Sequence, residues 1–147
     1  MTTTVLTRAV ARMLLAPVLL VAAGILIKGY TDTGDGFTAG LVAALGILLQ
    51  YVVFGGAEVA EALPVRHAPR LAIGGLLVVL ALTFVPVAFG DPLLRHWPGP
   101  GEDVVHFGTL EIMTPVLFDI GVFALVTGVV VSFIDLLARP EPEEAEA

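Results

Sequence analysis

Long apolar stretches separated by short polar links dominate this chain. Fifteen uncharged residues, Met13 to Ile27, lie between Arg12 and Lys28. Gly36 to Ala57 and Leu71 to Gly90 carry no charge at all, and Pro115 to Leu137 carries only Asp119 and Asp135. An α-helix rises ~1.5 Å per residue, so ~20 residues cross a ~30 Å hydrocarbon layer. The second and third runs meet that length directly. The first meets it if Arg8, Arg12 and Lys28 snorkel to the interface, and the fourth is long enough but includes acids. Inside lipid every backbone N–H and C=O must pair within its own segment or in a closed barrel. A barrel would alternate with period two, whereas these runs are apolar all round. The pattern therefore predicts an all-α integral membrane protein with four transmembrane helices, at about residues 9–28, 36–57, 71–90 and 115–137, followed by an acidic, disordered tail at 138–147.

The links between these runs are rich in Gly and Pro: Thr31 to Asp35, Leu63 to Pro69, and the longest, Asp91 to Glu111, whose Trp97 is expected at headgroup level. With four spans, Arg8, Arg12, Arg66, Arg70 and Arg139 fall on one side, and Lys28 and Arg95 on the other. That distribution puts both termini in the cytoplasm. A cleaved signal peptide is the competing reading of the first run, since two arginines precede it and Ala22-Ala23-Gly24 offers small residues. Pro17 inside the run and Lys28 after it argue against cleavage, so an intact N-terminus is expected by mass spectrometry.

Composition narrows the function. Of 147 residues 57% are hydrophobic and 14% charged, against ~25% charged in a soluble domain, too few to coat a small water-soluble fold. The net charge of −7 falls to −3 without Glu141, Glu143, Glu144 and Glu146. No basic patch offers a footprint for nucleic acid. The absence of cysteine removes disulfides, thiolate metal sites, Fe–S ligation and thiol catalysis. His67, His96 and His106 lie in links without metal-ligand spacing, and no P-loop, nucleophile elbow or dinucleotide fingerprint is present. The one serine, Ser132, lies inside a span. No enzyme activity, cofactor or metal is expected.

Two stretches carry the remaining information. The first turn runs Lys28-Gly-Tyr-Thr-Asp-Thr-Gly-Asp-Gly-Phe37-Thr-Ala-Gly40-Leu41. Gly34 and Gly36 suit a tight turn, and Asp35 is placed to cap the second helix at its positive end. Gly36, Gly40 and Ala44 recur every four residues, a small-xxx-small pattern that suits either packing within the chain or contact with a neighbouring protein. On the fourth span Gly121, Ala124, Gly128, Ser132 and Asp135 share a face, with Asp119 almost opposite Gly121. An unpaired central acid costs about 2.5–3.5 kcal/mol on insertion scales, so Asp119 must face protein, water or a cation. It is either a proton or sodium relay or an interfacial acid bonded to its neighbours. Glu58 and Glu61, spaced i, i+3, are expected to pair with Arg66 or Arg70, or else to gather cations at a pathway mouth. The ion-path candidates are Asp119, Glu58, Glu61, Lys28 and Asp35. Lys28 has the simpler alternative of snorkelling.

In these two stretches the chain resembles the B subunit of Mrp-type (Mnh) multisubunit sodium/proton antiporters. That family carries a turn of the form R-G-H-N-x-P-G-G-G-F-I-G-G-L. Gly29, Gly34, Gly36, Phe37, Gly40 and Leu41 fit it, and Lys28 keeps the charge of the usual arginine. Tyr30, Thr31, Thr33, Asp35, Thr38 and Ala39 depart from it. The family's fourth span, L-x-F-D-x-G-V-x-x-x-V-x-G, is matched by Phe118, Asp119, Gly121, Val122, Val126 and Gly128, with Val116 at the leucine position.

The resemblance implies a small subunit of a hetero-oligomeric complex in a prokaryotic cell membrane. Its partners would be the other antiporter subunits and the lipid bilayer, and its ions sodium and protons. It also implies that pumping resides mainly in larger subunits, so this chain would shape or line an ion path. Related modules occur in redox-driven complexes, hydrogenase-like or complex I-like, and a purely structural scaffold is a third alternative. Neighbouring genes would separate the first two.

Overall fold

The computed structural model describes residues 4–29, 34–95, 97, 99, 106–107, 110–111 and 114–139. The expected disordered tail falls largely on 140–147, and most of the first turn on 30–33; both lie outside the described residues. Among the described residues stand four helices long and apolar enough to cross a membrane: Val5–Lys28, Gly36–Phe54, Val65–Ala88 and Thr114–Leu137. The α-helices are α1 (Val5–Lys28), α2 (Gly36–Phe54), the short α3 (Gly56–Ala62), α4 (Ala68–Ala88) and α5 (Thr114–Leu137). Between α4 and α5 a two-residue antiparallel ladder pairs β1 (His106–Phe107) with β2 (Leu110–Glu111).

Local chemistry sets the helix ends, and these differ from the charge boundaries. α1 starts at Val5 because the Thr4 side chain accepts a hydrogen bond from the Thr7 N–H at 3.2 Å. α2 stops at Phe54 because Gly55 takes φ 82°, a left-handed conformation favoured only by glycine. The chain then restarts as α3, so the second link is a seven-residue helix and a 3₁₀ turn (Val65–His67) rather than open coil. Val59 and Val65 tie that link to the core, where they cluster with Ala44, Tyr51, Ala68 and Val131. α4 begins at Ala68, before the charge-free run, with Pro69 in its first turn where no N–H is needed. Its Pro86, like Pro17 in α1, lies inside a membrane helix, where proline is tolerated.

The long helices form a row in the order α1, α2, α5, α4. α1 and α2 run antiparallel: Val18 packs against Gly46, and the Gln50 side-chain amide donates to the Ala11 carbonyl at 2.9 Å. α2 and α5 run parallel, from Gly36 beside Asp119 to Tyr51 beside Asp135. α5 and α4 run antiparallel, with Gly121 against Gly75 and Gly128 against Ala68 and Ala72.

Small residues set every one of these contacts. A Cβ on Gly36 would overlap the Asp119 carbonyl, and one on Gly128 the Ala72 backbone nitrogen. Gly40 sits on Phe123 and Val126, and Ala39, Ala43 and Ala44 are almost completely buried. The Gly36–Gly40–Ala44 pattern therefore serves packing within the chain. The expected face of the fourth span holds from Gly121 to Gly128 but not to Asp135. A heptad drifts by ~20° on a straight helix, and over two heptads this carries Asp135 toward α2.

Gly74 and Gly75 test this directly. A Cβ on Gly74 meets nothing within 4 Å, whereas one on Gly75 would overlap the Leu125 nitrogen and the Gly121 carbonyl. Gly75→Ala should destabilise the protein by about 1–3 kcal/mol, as overpacking does. Gly74→Ala should be neutral or stabilise by up to about 1 kcal/mol. Thermal unfolding in detergent measures both, and equal effects would refute the close approach of α4 to α5.

Candidate functional site

Asp119 lies about a turn and a half inside α5 and is 6% exposed. Its side chain points away from α4, toward the turn that joins α1 to α2. Carboxylate Oδ2 accepts the Gly34 N–H at 2.9 Å. Among the described residues two glycines crowd it: Gly29 is so close to Oδ2 that a Cβ would sit 3.1 Å away, and Gly36 lies on the Asp119 backbone. Gly34 has φ 120°, which points its N–H at the acid at a conformational cost that only glycine escapes. Gly29, Gly34 and Gly36 thus form one unit with Asp119.

Lys28 and Asp35 border this unit. Lys28 Nζ donates to Asp35 Oδ2 at 3.2 Å. Asp35 occupies the N-cap position of α2, but its side chain makes no capping bond, so the expected cap is replaced by this ion pair. Held by Asp35, Lys28 does more than snorkel. Phe37 and Leu41, the other motif positions here, face outward and are exposed. On the fourth span Phe118 is half-buried beside the acid, while Gly121 and Gly128 carry the α4 contact.

Glu58 and Glu61 lie at the opposite end, on α3. Glu58 does not pair with Arg66 or Arg70. It accepts from Arg8 at 2.6 Å and from Arg12 at 3.2 Å. The guanidinium carbons of the two arginines also lie 4.8 and 5.1 Å from the Phe54 ring centroid. The break at Gly55 turns α3 toward the start of α1, which is why the first helix rather than the fourth supplies the partners. Glu61 is exposed and has no ion-pair partner among the described residues. Arg66 and Arg70 instead contact His67, at 3.2 and 3.5 Å.

The five ion-path candidates therefore fall into two groups, separated by the 19 residues of α2 or about 28 Å. Between and beside them lie polar groups that the charge pattern did not single out. Gln50 is 5% exposed and ties α1 to α2. Thr127 Oγ1 donates to the Gly40 carbonyl at 3.3 Å. Tyr51 Oη donates to Asp135 at 2.8 Å, and Arg139 holds the same acid at 2.7 Å. That bond and the charge of Asp135 raise the pKa of the Arg139 guanidinium, outside the span. Gln50 left a usable signal: it is the only Asn or Gln in the chain and stands inside a charge-free run. Among the described residues no group of three His, Cys, Asp or Glu gathers to hold a metal ion.

Four apolar helices held by glycine contacts, with charges gathered at both ends, define a multi-pass membrane protein. The chain belongs to the MnhB family: the family model described as a domain related to the MnhB subunit of Na+/H+ antiporters matches residues 6–132. It is a multi-pass protein of the bacterial cell membrane. A relative from Staphylococcus haemolyticus, named as antiporter subunit mnhB2, is 32% identical over 107 residues, covering 71% of this chain and 72% of the relative. The B subunit of a Na(+)/H(+) antiporter from Alkalihalophilus pseudofirmus is 28% identical over 113 residues, 77% of each chain. A Rhizobium meliloti protein named as the A/B subunit of a K(+)/H(+) antiporter is 36% identical over 121 residues, which are 82% of this chain and 12% of that protein.

The clamp on the turn is testable by hydrogen exchange. Asp119→Ala removes a charged acceptor whose bond is worth roughly 1.5–3 kcal/mol, so exchange at the Gly34 amide should accelerate about tenfold to hundredfold. Asp119→Asn keeps an acceptor oxygen and should change it far less. Unchanged exchange in Asp119→Ala would show that the acid does not hold the turn.

Proposed function

We propose that this chain is the B-type subunit of an Mrp-like cation/proton antiporter and shapes the mouth of an ion path at Asp119. The observation that carries this reading is the Asp119 carboxylate, nearly buried and accepting the backbone N–H of Gly34. A carboxylate inside a membrane helix is expensive to retain, and such groups commonly mark ion and proton routes. The chain alone provides no continuous polar route among its described residues. Asp119 and Glu58 stand at opposite ends, and Thr127 and Gln50 between them are both engaged with backbone carbonyls. A path using Asp119 is therefore completed by neighbouring subunits.

The exchange assigned to the complex is sodium for protons, following the family and the Alkalihalophilus relative. Potassium is a second reading, favoured by the name of the Rhizobium relative. That protein is named for an A part and a B part together, and its B-like part is 12% of its length. The first partner of this chain is accordingly an A-type subunit. The role is transport without catalysis of a chemical reaction.

Asp119→Asn preserves an acceptor for Gly34 while removing the charge and the ability to take up and release a proton. In everted vesicles carrying the assembled complex, it should lower sodium-dependent proton exchange well below wild type, and replacing sodium by potassium distinguishes the two cations. Wild-type exchange by an assembled Asp119→Asn complex would remove Asp119 from the path. Recovery of the tagged chain from detergent without an A-type subunit would overturn the assignment of its partner.

A further inference from the structure

We propose that the groove between α1 and α4 binds an anionic glycerophospholipid of the leaflet at the Arg66 end, with the acyl chains in the groove and the phosphate on Arg66 and Arg70. Because α2 and α5 stand in the middle of the row, α1 and α4 form two walls with a gap between them. The cavity is about 440 Å³. Its walls are Leu15 and Leu19 on α1 and Leu71 on α4, with Ile47 and Val131 on the floor. Thr127 also reaches the floor, but its hydroxyl is turned to the Gly40 carbonyl, which leaves the surface apolar.

One end of this groove is cationic. His67 lines it, and the two ring nitrogens of His67 face guanidinium groups, Arg66 Nε at 3.2 Å and Arg70 at 3.5 Å. A neutral imidazole has one acceptor nitrogen and cannot satisfy both. Of the described acids at this end, Glu58 is held by Arg8 and Arg12, and Asp135 by Arg139 and Tyr51. Glu61 pairs with neither arginine. Two guanidiniums on consecutive turns, without a carboxylate among the described residues, suit an acceptor-only group with several oxygens, as a phosphodiester is. The same end holds five of the seven Lys and Arg residues, so it lies at the cytoplasmic leaflet, where anionic lipids attract basic side chains. Apolar walls running directly into a cationic rim match the two halves of one phospholipid. A partner helix would use the walls but leave the rim unsatisfied.

Native mass spectrometry of the full chain, released from detergent with equal amounts of phosphatidylglycerol and phosphatidylcholine, provides the test. The wild type should retain phosphatidylglycerol preferentially. Replacing both arginines (Arg66→Gln with Arg70→Gln) should weaken that retention by roughly tenfold or more, at about a few-fold to tenfold per basic residue. Leu71→Trp narrows the groove with both arginines intact and should also reduce retention. Equal retention of the two lipids, or unaltered phosphatidylglycerol binding in both variants, would overturn the proposal. So would displacement by the soluble headgroup glycerophosphoglycerol at lipid-like concentrations, which would indicate an anion site without acyl chains. A photo-crosslinking residue at position 71 in native membranes should label lipid, and labelling of a neighbouring protein instead would assign the groove to a partner helix.

Discussion

The approach of backbones to within a glycine's width of each other is the constraint on which the rest of this protein depends. In a bilayer, moving a leucine from lipid to a helix interface gains little, because both surroundings are apolar. What remains is packing: dispersion contacts that grow as helices come closer, and hydrogen bonds between helices. α5 exploits this on two sides. Gly36 and Gly40 of α2 lie against one side, and Gly75, Ala72 and Ala68 of α4 against the other. Large apolar side chains such as Leu45, Val52, Leu77 and Phe84 are turned outward, the reverse of a water-soluble core.

That arrangement decides where polar groups can stand. Between closely packed backbones there is no room for a hydrated side chain, so charges collect at the helix ends, where the row opens. Asp119 is the exception that the packing itself creates. Its backbone lies against Gly36 and its carboxylate accepts from Gly34, so the tight contact between α2 and α5 delivers an acid to the start of α2. Gln50 performs a related task between α1 and α2. A side-chain amide bonded to a carbonyl on the neighbouring helix fixes the register of two surfaces that are otherwise smooth.

Much of this is legible in the chain itself, because lipid leaves few choices. The lengths of the charge-free runs require helices, and the spacing of Gly36, Gly40 and Ala44 and of Gly121 and Gly128 marks the faces that meet. The opposite placement of Asp119 and Gly121 follows from ~100° per residue. The partners of charged side chains do not follow. Glu58 finds Arg8 and Arg12, about fifty residues earlier in the chain, because Gly55 bends the backbone, and nothing in the local sequence reports that direction. Asp35 has the chemistry of a helix cap, yet Lys28, seven residues earlier, offers a charge, and the ion pair takes its place. The row order is also hidden, since sequence adjacency suggests α2 beside α4, whereas small residues on both sides of α5 place it between them.

The break at Gly55 has a consequence for the membrane itself. α2, at 19 residues, is about 28 Å long, whereas α1 and α5, at 24 residues each, are about 36 Å. At the Gly55 end, Arg8 and Arg12 lie over the Phe54 ring and Asp135 accepts from Tyr51, so the charges of α1 and α5 gather at the level where α2 stops, while the extra residues of α5, Thr114–Phe118, lie at the opposite end. On that face the polar boundary is therefore set by the shortest helix, in the interior of the row, and by the one glycine that ends it. A thicker bilayer would have to thin locally around α2, since leaning would pull it away from the two helices it touches. One backbone torsion thus tunes the protein to the thickness of the sheet in which it floats.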